Sequence, residues 1–335
     1  MPSQSHFPDP ELRQDLVNEE WVIIAPGRGR RPRNFTAKAK PRIPPPPSRD
    51  PFADPQASGH PEPVFVWPAR SRWRVQVLEN KFPALKHDKI MSILYDSGPY
   101  RILPAVGFHE LIITRDPVKN IPDLDLADIL AVLKAVQNRF QVYKANKYVE
   151  CGYFFQNWGE SAGASIFHPH FQLIGLPVIP GNINRSLAGS ARYYKKYRRF
   201  AYDDIIDWEL KHKSRIIFAN RDALAFTRFA SEEPFDIRVF PKSHEPFFEI
   251  TAVKILKAVA AALKVSLAKI KNKLGDPDYN FFLHTAPLKN QSEYNHYHWH
   301  LDIVPKISVS AGLEIGAGVE ITAIDPDDAA AFLKS

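Results

Sequence analysis

The sequence predicts an α+β protein in which one strand-and-helix plan is used twice, and three observations carry that expectation. Short apolar runs rich in Val, Ile, Phe and Tyr have the length and bounding residues of strands. Two longer stretches, 125–146 and 250–274, read as helices of some twenty residues. The order of runs and helix in the first half then recurs in the second.

Taken in order, strands are expected at 21–25 ("WVIIA"), 73–79 ("WRVQVLE") and 108–114 ("FHELIIT"). A helix follows over 125–146, where "LADILAVLKAVQNRFQVYKANK" has apolar residues at helical spacing behind an acidic start. Strands at 150–156 ("ECGYFFQ") and 169–175 complete this half. Residues 184–215 read as one long connecting helix, and strands at 214–219 and 221–227 open the second half. There "FDIRVFP" (235–241) stands for "FHELIIT", a helix over 250–274 for the first helix, "YNFFLHTAP" (279–287) for "YFFQNWG", and "HWHLDIVP" (298–305) for "HPHFQLIG". A long-period duplication of this kind predicts two homologous domains, 1–183 and 184–335, rather than a solenoid. Two domains also suit 335 residues, more than one typical core accommodates.

Composition narrows the classes. The chain is 44% hydrophobic and 24% charged, and lacks an unbroken apolar window of the ~18 residues that suggest a membrane span. Its first residues, "MPSQSHFPDPELRQD", lack an apolar signal core, and the single cysteine, Cys151, cannot form an internal disulfide. A cytoplasmic protein with no membrane partner is the expectation. Cys151, with no cation beside it, reads as a buried strand residue. The net charge of +7 is partly local, in "RGRRPR" (28–33) and "KKYRR" (195–199). The first cluster is a loop after a strand and suits phosphate; the second is open between anion binding and solvated surface. Short separated clusters without a recognition motif do not predict nucleic-acid binding. The proline-dense segment 40–55 can be neither helix nor central strand, and reads as an extended surface loop.

Chemistry concentrates in "SIFHPHFQLIG" (165–175). Alternate strand residues share a face, so His168, His170 and Gln172 point one way, Phe171 and Leu173 the other. Three readings remain open for the polar face: a structural hydrogen-bond network, half of a metal site, or a nucleophile. A neutral imidazole attacks phosphorus well when its other nitrogen holds the proton against a carbonyl. Gln172 could donate to a phosphoryl oxygen, and the preceding "NWGESAGAS" (157–165) offers Gly159 and Gly163 where a backbone could approach phosphates.

"GASIFHPHFQ" resembles the His-Pro-His-x-Gln signature of the galactose-1-phosphate uridylyltransferase family, the transferase branch of the histidine-triad superfamily. The likeness extends through "EEWVIIAPGRGRRPRNF", "VLENKFPAL", "GFHELII", "FFLHTAPL" and "YHWHLDIVP". The ending "AGLEIGAGVEITAIDPDDAA" is similar to the compact branch that also holds ADP-glucose phosphorylases. The resemblance implies two tandem histidine-triad-like domains, each a mostly antiparallel sheet with packed helices. It implies that His170 becomes nucleotidylated and Gln172 steadies that intermediate. Arg28 and Arg31 match phosphate contacts placed across a homodimer interface. Asn80, Asn157, Gly163 and Ser165 match nucleotide or phosphate contacts, and Glu320 a sugar-contacting carboxylate.

The implied activity is ping-pong uridylyl transfer between UDP-glucose and a hexose 1-phosphate. The alternatives are adenylyl transfer from ADP-glucose to phosphate and, from another class, a non-catalytic metal- or nucleotide-binding protein. Nucleotide sugar and sugar 1-phosphate (or phosphate) are the expected partners. Hydrolytic relatives carry a third histidine where Gln172 stands; an amide cannot protonate a leaving group, but a sugar phosphate, with its second pKa near ~6, leaves without strong acid help.

The chemistry itself requires no cofactor. Many relatives bind zinc through a Cys-x-x-Cys pair and two histidines that match His109 and His168, but "DPFA" (50–53) stands where the cysteines would be. Asp50 or His60 would have to substitute, giving a thiolate-free and weaker site. A second metal site in some members matches His284, His298 and His300, without an evident glutamate in "PGNINRSL" (180–187). Asp302 replaces the glutamine in that half and would repel phosphate.

Overall fold

The computed structural model describes residues 9–28, 42–87 and 93–335. Its centre is one ten-stranded sheet whose strands, in chain order, are Phe65–Trp67 (β1), Val75–Glu79 (β2), Phe108–Thr114 (β3), Cys151–Trp158 (β4), His170–Leu176 (β5), Ile216–Ala219 (β6), Ala223–Thr227 (β7), Ile237–Pro241 (β8), Tyr279–His284 (β9) and His300–Pro305 (β10). The spatial order is β6-β7-β8-β10-β9-β4-β5-β3-β2-β1, and all neighbours are antiparallel. Each half therefore has the same five-strand order, and β4 joins β9 with Asn157 opposite Asn280. The two half-sheets expected from the sequence are continuous.

Six helices complete the α+β fold among the described residues: Leu126–Ala145 (α1), Gly181–Tyr197 (α2), Ala201–His212 (α3), Val253–Leu274 (α4), Gly312–Ala317 (α5) and Pro326–Lys334 (α6). The period-2 alternation of each strand divides its side chains between two faces. One face of both halves, with Phe171, Leu173, Phe281 and Leu301, packs under α1, α4 and α6 as the main core. The opposite face of the second half, with Leu224, Phe226 and Phe240, is covered by α2 and α3. In the first half that face carries only a small cluster around Phe52, Leu111 and Ile113. Among the described residues, no helix covers the histidine face of β5.

Two expectations need correction. The connecting segment is two helices: α2 ends on Arg198 in the left-handed region (φ 56°), and Phe200 is extended before α3. Lys195 and Lys196 in the last turn of α2 and Asp203 and Asp204 in the first turn of α3 suit the two helix dipoles, a start-and-stop signal that the sequence already held. The proline-dense segment is not all surface: within it Asp50 is buried and Phe52 fully so. The strands Glu11–Gln14, Trp21–Ile24 and Ile321–Thr322 form a separate three-stranded sheet, of which only the middle strand was expected.

Candidate active site

His170 opens β5, its ring 7% exposed, and its Nδ1 lies 2.9 Å from the His168 carbonyl oxygen. A carbonyl only accepts, so Nδ1 carries the proton and Nε2 is left with its lone pair. Burial lowers the imidazole's pKa, partly opposed by that same carbonyl. The ring is a neutral imidazole of fixed tautomer.

Gln172 lies two residues on, half-buried, with Oε1 3.0 Å from Nε2 of His109 on β3. Asn80, at the end of β2, places Nδ2 3.0 Å from the same nitrogen, and its Oδ1 accepts from the Phe82 amide. Thus His170, Gln172 and Asn80 converge on one region of the open face.

The loop 159–165 leaves the end of β4. Gly159 and Gly163 both have positive φ, +87° and +90°, which an L side chain rarely adopts. A Cβ on Gly159 would stand 1.8 Å from Asp278 Oδ1. The second half of the chain braces this loop. Asp278 accepts from the Ser161 amide (2.7 Å) and hydroxyl (2.6 Å), and Asn280 donates to Asn157 Oδ1 and the Ala162 carbonyl, both at 2.9 Å. Burial alone would raise the Asp278 carboxyl, but the Ser161 bonds and Arg42 bring it below its ordinary value. Gly163 and Ser165 are exposed, and Asn157 is half-buried beneath them.

Two sequence-derived contacts are not joined to this region. Arg28 is exposed after the strand Trp21–Ile24, and among the described residues its guanidinium has no hydrogen bond or ion pair. Arg31 lies outside the described residues. Glu320 belongs to the three-stranded sheet, where its carbonyl accepts from Ile23. Burial, then repulsion from Glu233 and its acidic neighbours, pushes its carboxyl up to about 7.

A zinc shared by His109 and His168, already doubtful without the cysteine pair, does not fit. His168 contacts the Thr114 carbonyl through Nε2 (2.7 Å), and His109 sits five residues earlier on that strand, roughly 17 Å away at ~3.4 Å per residue. Nδ1 of His168 is 2.7 Å from Asp50 Oδ2, so both ring nitrogens meet acceptors. The Phe52 ring lies 5.5, 5.7 and 5.4 Å from the rings of His60, His168 and His170 and occupies the space between loop and strand.

The second cluster also differs from expectation. His284 and His300 stack at 4.9 Å, and Asp302, not His298, completes the group whose ligand atoms approach one another. His298 bonds its Nδ1 to the Trp299 carbonyl, and its ring is fully buried. Burial lowers His284 and His298 to about 4. Both Asp302 oxygens are gripped by Arg238, at 2.7 and 2.9 Å. Burial alone would raise that carboxyl; Arg238 holds it far below. A divalent ion held by this group would face a guanidinium already seated on the Asp302 carboxylate, so these three residues do not suit a metal.

Sequence reasoning missed Phe52, Asp278, Asn280 and Arg238, and named Asp50 only as a stand-in metal ligand. For Asp278 and Asn280 a signal existed, because the repeat had already set "YNFFLHTAP" against "YFFQNWG". Cys151 is buried in β4, as expected, and burial pushes its thiol up to about 12.

Fold and site together define a duplicated histidine-triad protein with one intact His-Pro-His-x-Gln strand. Comparison with known proteins agrees. The model described as "Galactose-1-phosphate uridyl transferase, N-terminal domain" matches residues 4–180, and a "Domain of unknown function (DUF4921)" matches residues 126–333. An ADP-glucose phosphorylase of Arabidopsis thaliana is 34% identical over 97% of this chain and 92% of its own. A galactose-1-phosphate uridylyltransferase of Thermotoga maritima is 24% identical over 97% and 98%. Among solved structures, an Arabidopsis ADP-glucose phosphorylase with bound ADP-glucose has TM-score 0.83 at 30% identity, covering 97% and 99% of the two chains. A uridylyltransferase has TM-score 0.74 at 26%, covering 96% and 97%. The chain belongs to the galactose-1-phosphate uridyl transferase family, and it is a nucleotidyltransferase.

Proposed function

We propose that this chain carries a nucleoside monophosphate on Nε2 of His170 between two phosphate groups, with ADP-glucose as donor and inorganic phosphate as acceptor. The observation that carries the transfer chemistry is the 2.9 Å bond from His170 Nδ1 to the His168 carbonyl, which leaves Nε2 unprotonated. The adenylyl donor takes precedence over the uridylyl donor that the motif suggests. Its support is the 34% identity to a protein named ADP-glucose phosphorylase, against 24% to the Thermotoga uridylyltransferase.

In the first half-reaction Nε2 attacks the α-phosphorus, the bond to the bridging oxygen breaks, and glucose 1-phosphate departs with that electron pair. The adduct ring is cationic, with phosphorus on Nε2 and hydrogen on Nδ1, and the His168 carbonyl stabilises it. Gln172 donates to a non-bridging oxygen as charge grows there. A phosphate oxygen then attacks the same phosphorus, the N–P bond breaks, ADP leaves, and His170 regains its resting tautomer. The second reading, UDP-glucose with hexose 1-phosphate, is favoured by the family match over residues 4–180.

The test is intact-mass analysis after mixing with ADP-glucose or UDP-glucose, acceptor omitted. A nucleotidyl adduct is expected with ADP-glucose, removed by adding phosphate and absent in His170→Ala. An adduct with UDP-glucose alone establishes the second reading, and no adduct with either donor refutes both.

A further inference from the structure

We infer that His109 is a positioning residue that sets which end of the Gln172 amide faces the reacting phosphorus. The inference rests on the transfer reading above and adds to it the question of how an amide, which can turn over, presents its donor rather than its acceptor.

The argument begins from an atom that cannot flip. The backbone N–H of Ala84 points at Nδ1 of His109 across 3.0 Å. Nδ1 must therefore accept, and the neutral ring carries its proton on Nε2. That N–H is 3.0 Å from Gln172 Oε1 and donates to it. Turning the amide over would set an NH2 against an N–H, two donors with no acceptor between them. Gln172 is left with Nε2 outward, where it has no hydrogen-bond partner among the described residues.

Asn80 is oriented by a different group. Its Oδ1 accepts from the Phe82 amide, which puts its Nδ2 3.0 Å from the same ring nitrogen. Of the two amides at that nitrogen, the Gln172 oxygen is the one that can accept from it, and the amide hydrogens of Asn80 must find an acceptor elsewhere. The imidazole thereby turns the Gln172 amide outward as a donor, on the same face as His170, where a phosphoryl oxygen would accept from it.

Two measurements test this. In the resting protein, selectively 15N-labelled histidine should show His109 as the neutral Nε2–H tautomer, assigned by the signal lost in His109→Gln. An Nδ1–H tautomer overturns the inference whether or not the protein turns over. In single-turnover adduct formation, removing an oriented donor costs about 100- to 1,000-fold, the expectation for Gln172→Ala. His109→Phe should slow the step by about tenfold or more, and His109→Gln should restore most of it through its own amide donor. In the Gln172→Ala background His109→Phe should cost nothing further, because a residue acting through Gln172 has nothing left to orient. Multiplying effects, or an unchanged His109→Phe rate, overturn the inference. A wild-type protein that forms no adduct removes the transfer reading instead, and the tautomer then decides the geometry.

Discussion

Arg238→Met tests whether the second histidine cluster is held by an ion pair rather than a metal. Arg238 and Asp302 are 6% and 3% exposed and share two hydrogen bonds of 2.7 and 2.9 Å. Removing one partner of such a pair leaves the other charge buried, at a cost of about 3–5 kcal/mol. Replacing both with apolar residues of similar size removes the penalty together with the attraction, so Arg238→Met with Asp302→Leu should recover most of the loss. The pH dependence has a definite sign. In the wild type the Asp302 carboxyl lies below its unfolded value, so its contribution is present above the ordinary carboxylate pKa and is lost as pH falls through the folded one. Without Arg238, burial dominates and raises that pKa, so the single variant's deficit should shrink as pH falls and the carboxyl protonates. Urea unfolding followed by tryptophan fluorescence measures all three proteins, and adduct formation at His170 should survive in the double variant. A single variant within about 1 kcal/mol of wild type, or a double variant no better than the single, would refute the reasoning. So would wild-type protein that holds a stoichiometric metal lost on His284→Ala.

Two further outcomes follow from the first half. Gly159→Ala puts a side chain at φ +87° and a Cβ against Asp278, so the loop must shift; backbone strain alone costs about 1–3 kcal/mol. Adduct formation should fall under conditions where the variant is still fully folded, and an unchanged rate in quenched-flow would contradict the loop's role. Burial lowers the His170 pKa, so Nε2 should remain unprotonated below the ordinary histidine value near 6.5. The acid limb of single-turnover adduct formation should accordingly have its midpoint below 6.5, and a midpoint above it would sink the assignment.

What the sequence made legible was local or repeated. Alternation put His168, His170 and Gln172 on one side and sent Phe171 and Leu173 to the core, because a strand's two faces follow from its geometry alone. The duplicated plan followed from matching runs, and all five strands of the second half were placed. What stayed hidden depended on distance in the chain. His109 read as a metal ligand because its type and spacing say nothing about register; pairing Leu111 with Gln172 is what brings it to the amide. Phe52 sits among ten residues that are mostly Pro, Arg and Asp, and composition correctly forbids helix or strand there without revealing that one ring turns inward. Arg238 looked like any charge on a strand until β8 paired with β10 and set it opposite Asp302.

Under the proposed transfer, the duplication also explains why one half would react and the other would not. His300 bonds its Nδ1 to the His298 carbonyl at 3.1 Å, the same contact that His170 makes with His168. That bond needs only a histidine at the start of a strand and the carbonyl two residues before it, so it survives wherever the backbone does. The donor at the next same-face position is a side-chain choice, and there the halves part: Gln172 is turned outward, whereas Asp302 is neutralised within the fold by Arg238. A buried carboxylate beside a competent imidazole excludes phosphate, and α2 and α3 cover that face in addition. The second half has a mechanical task at the junction, where Asp278 and Asn280 hold the glycine loop of the first. The proposed transferase site therefore draws on both halves, although its proposed nucleophile belongs to one.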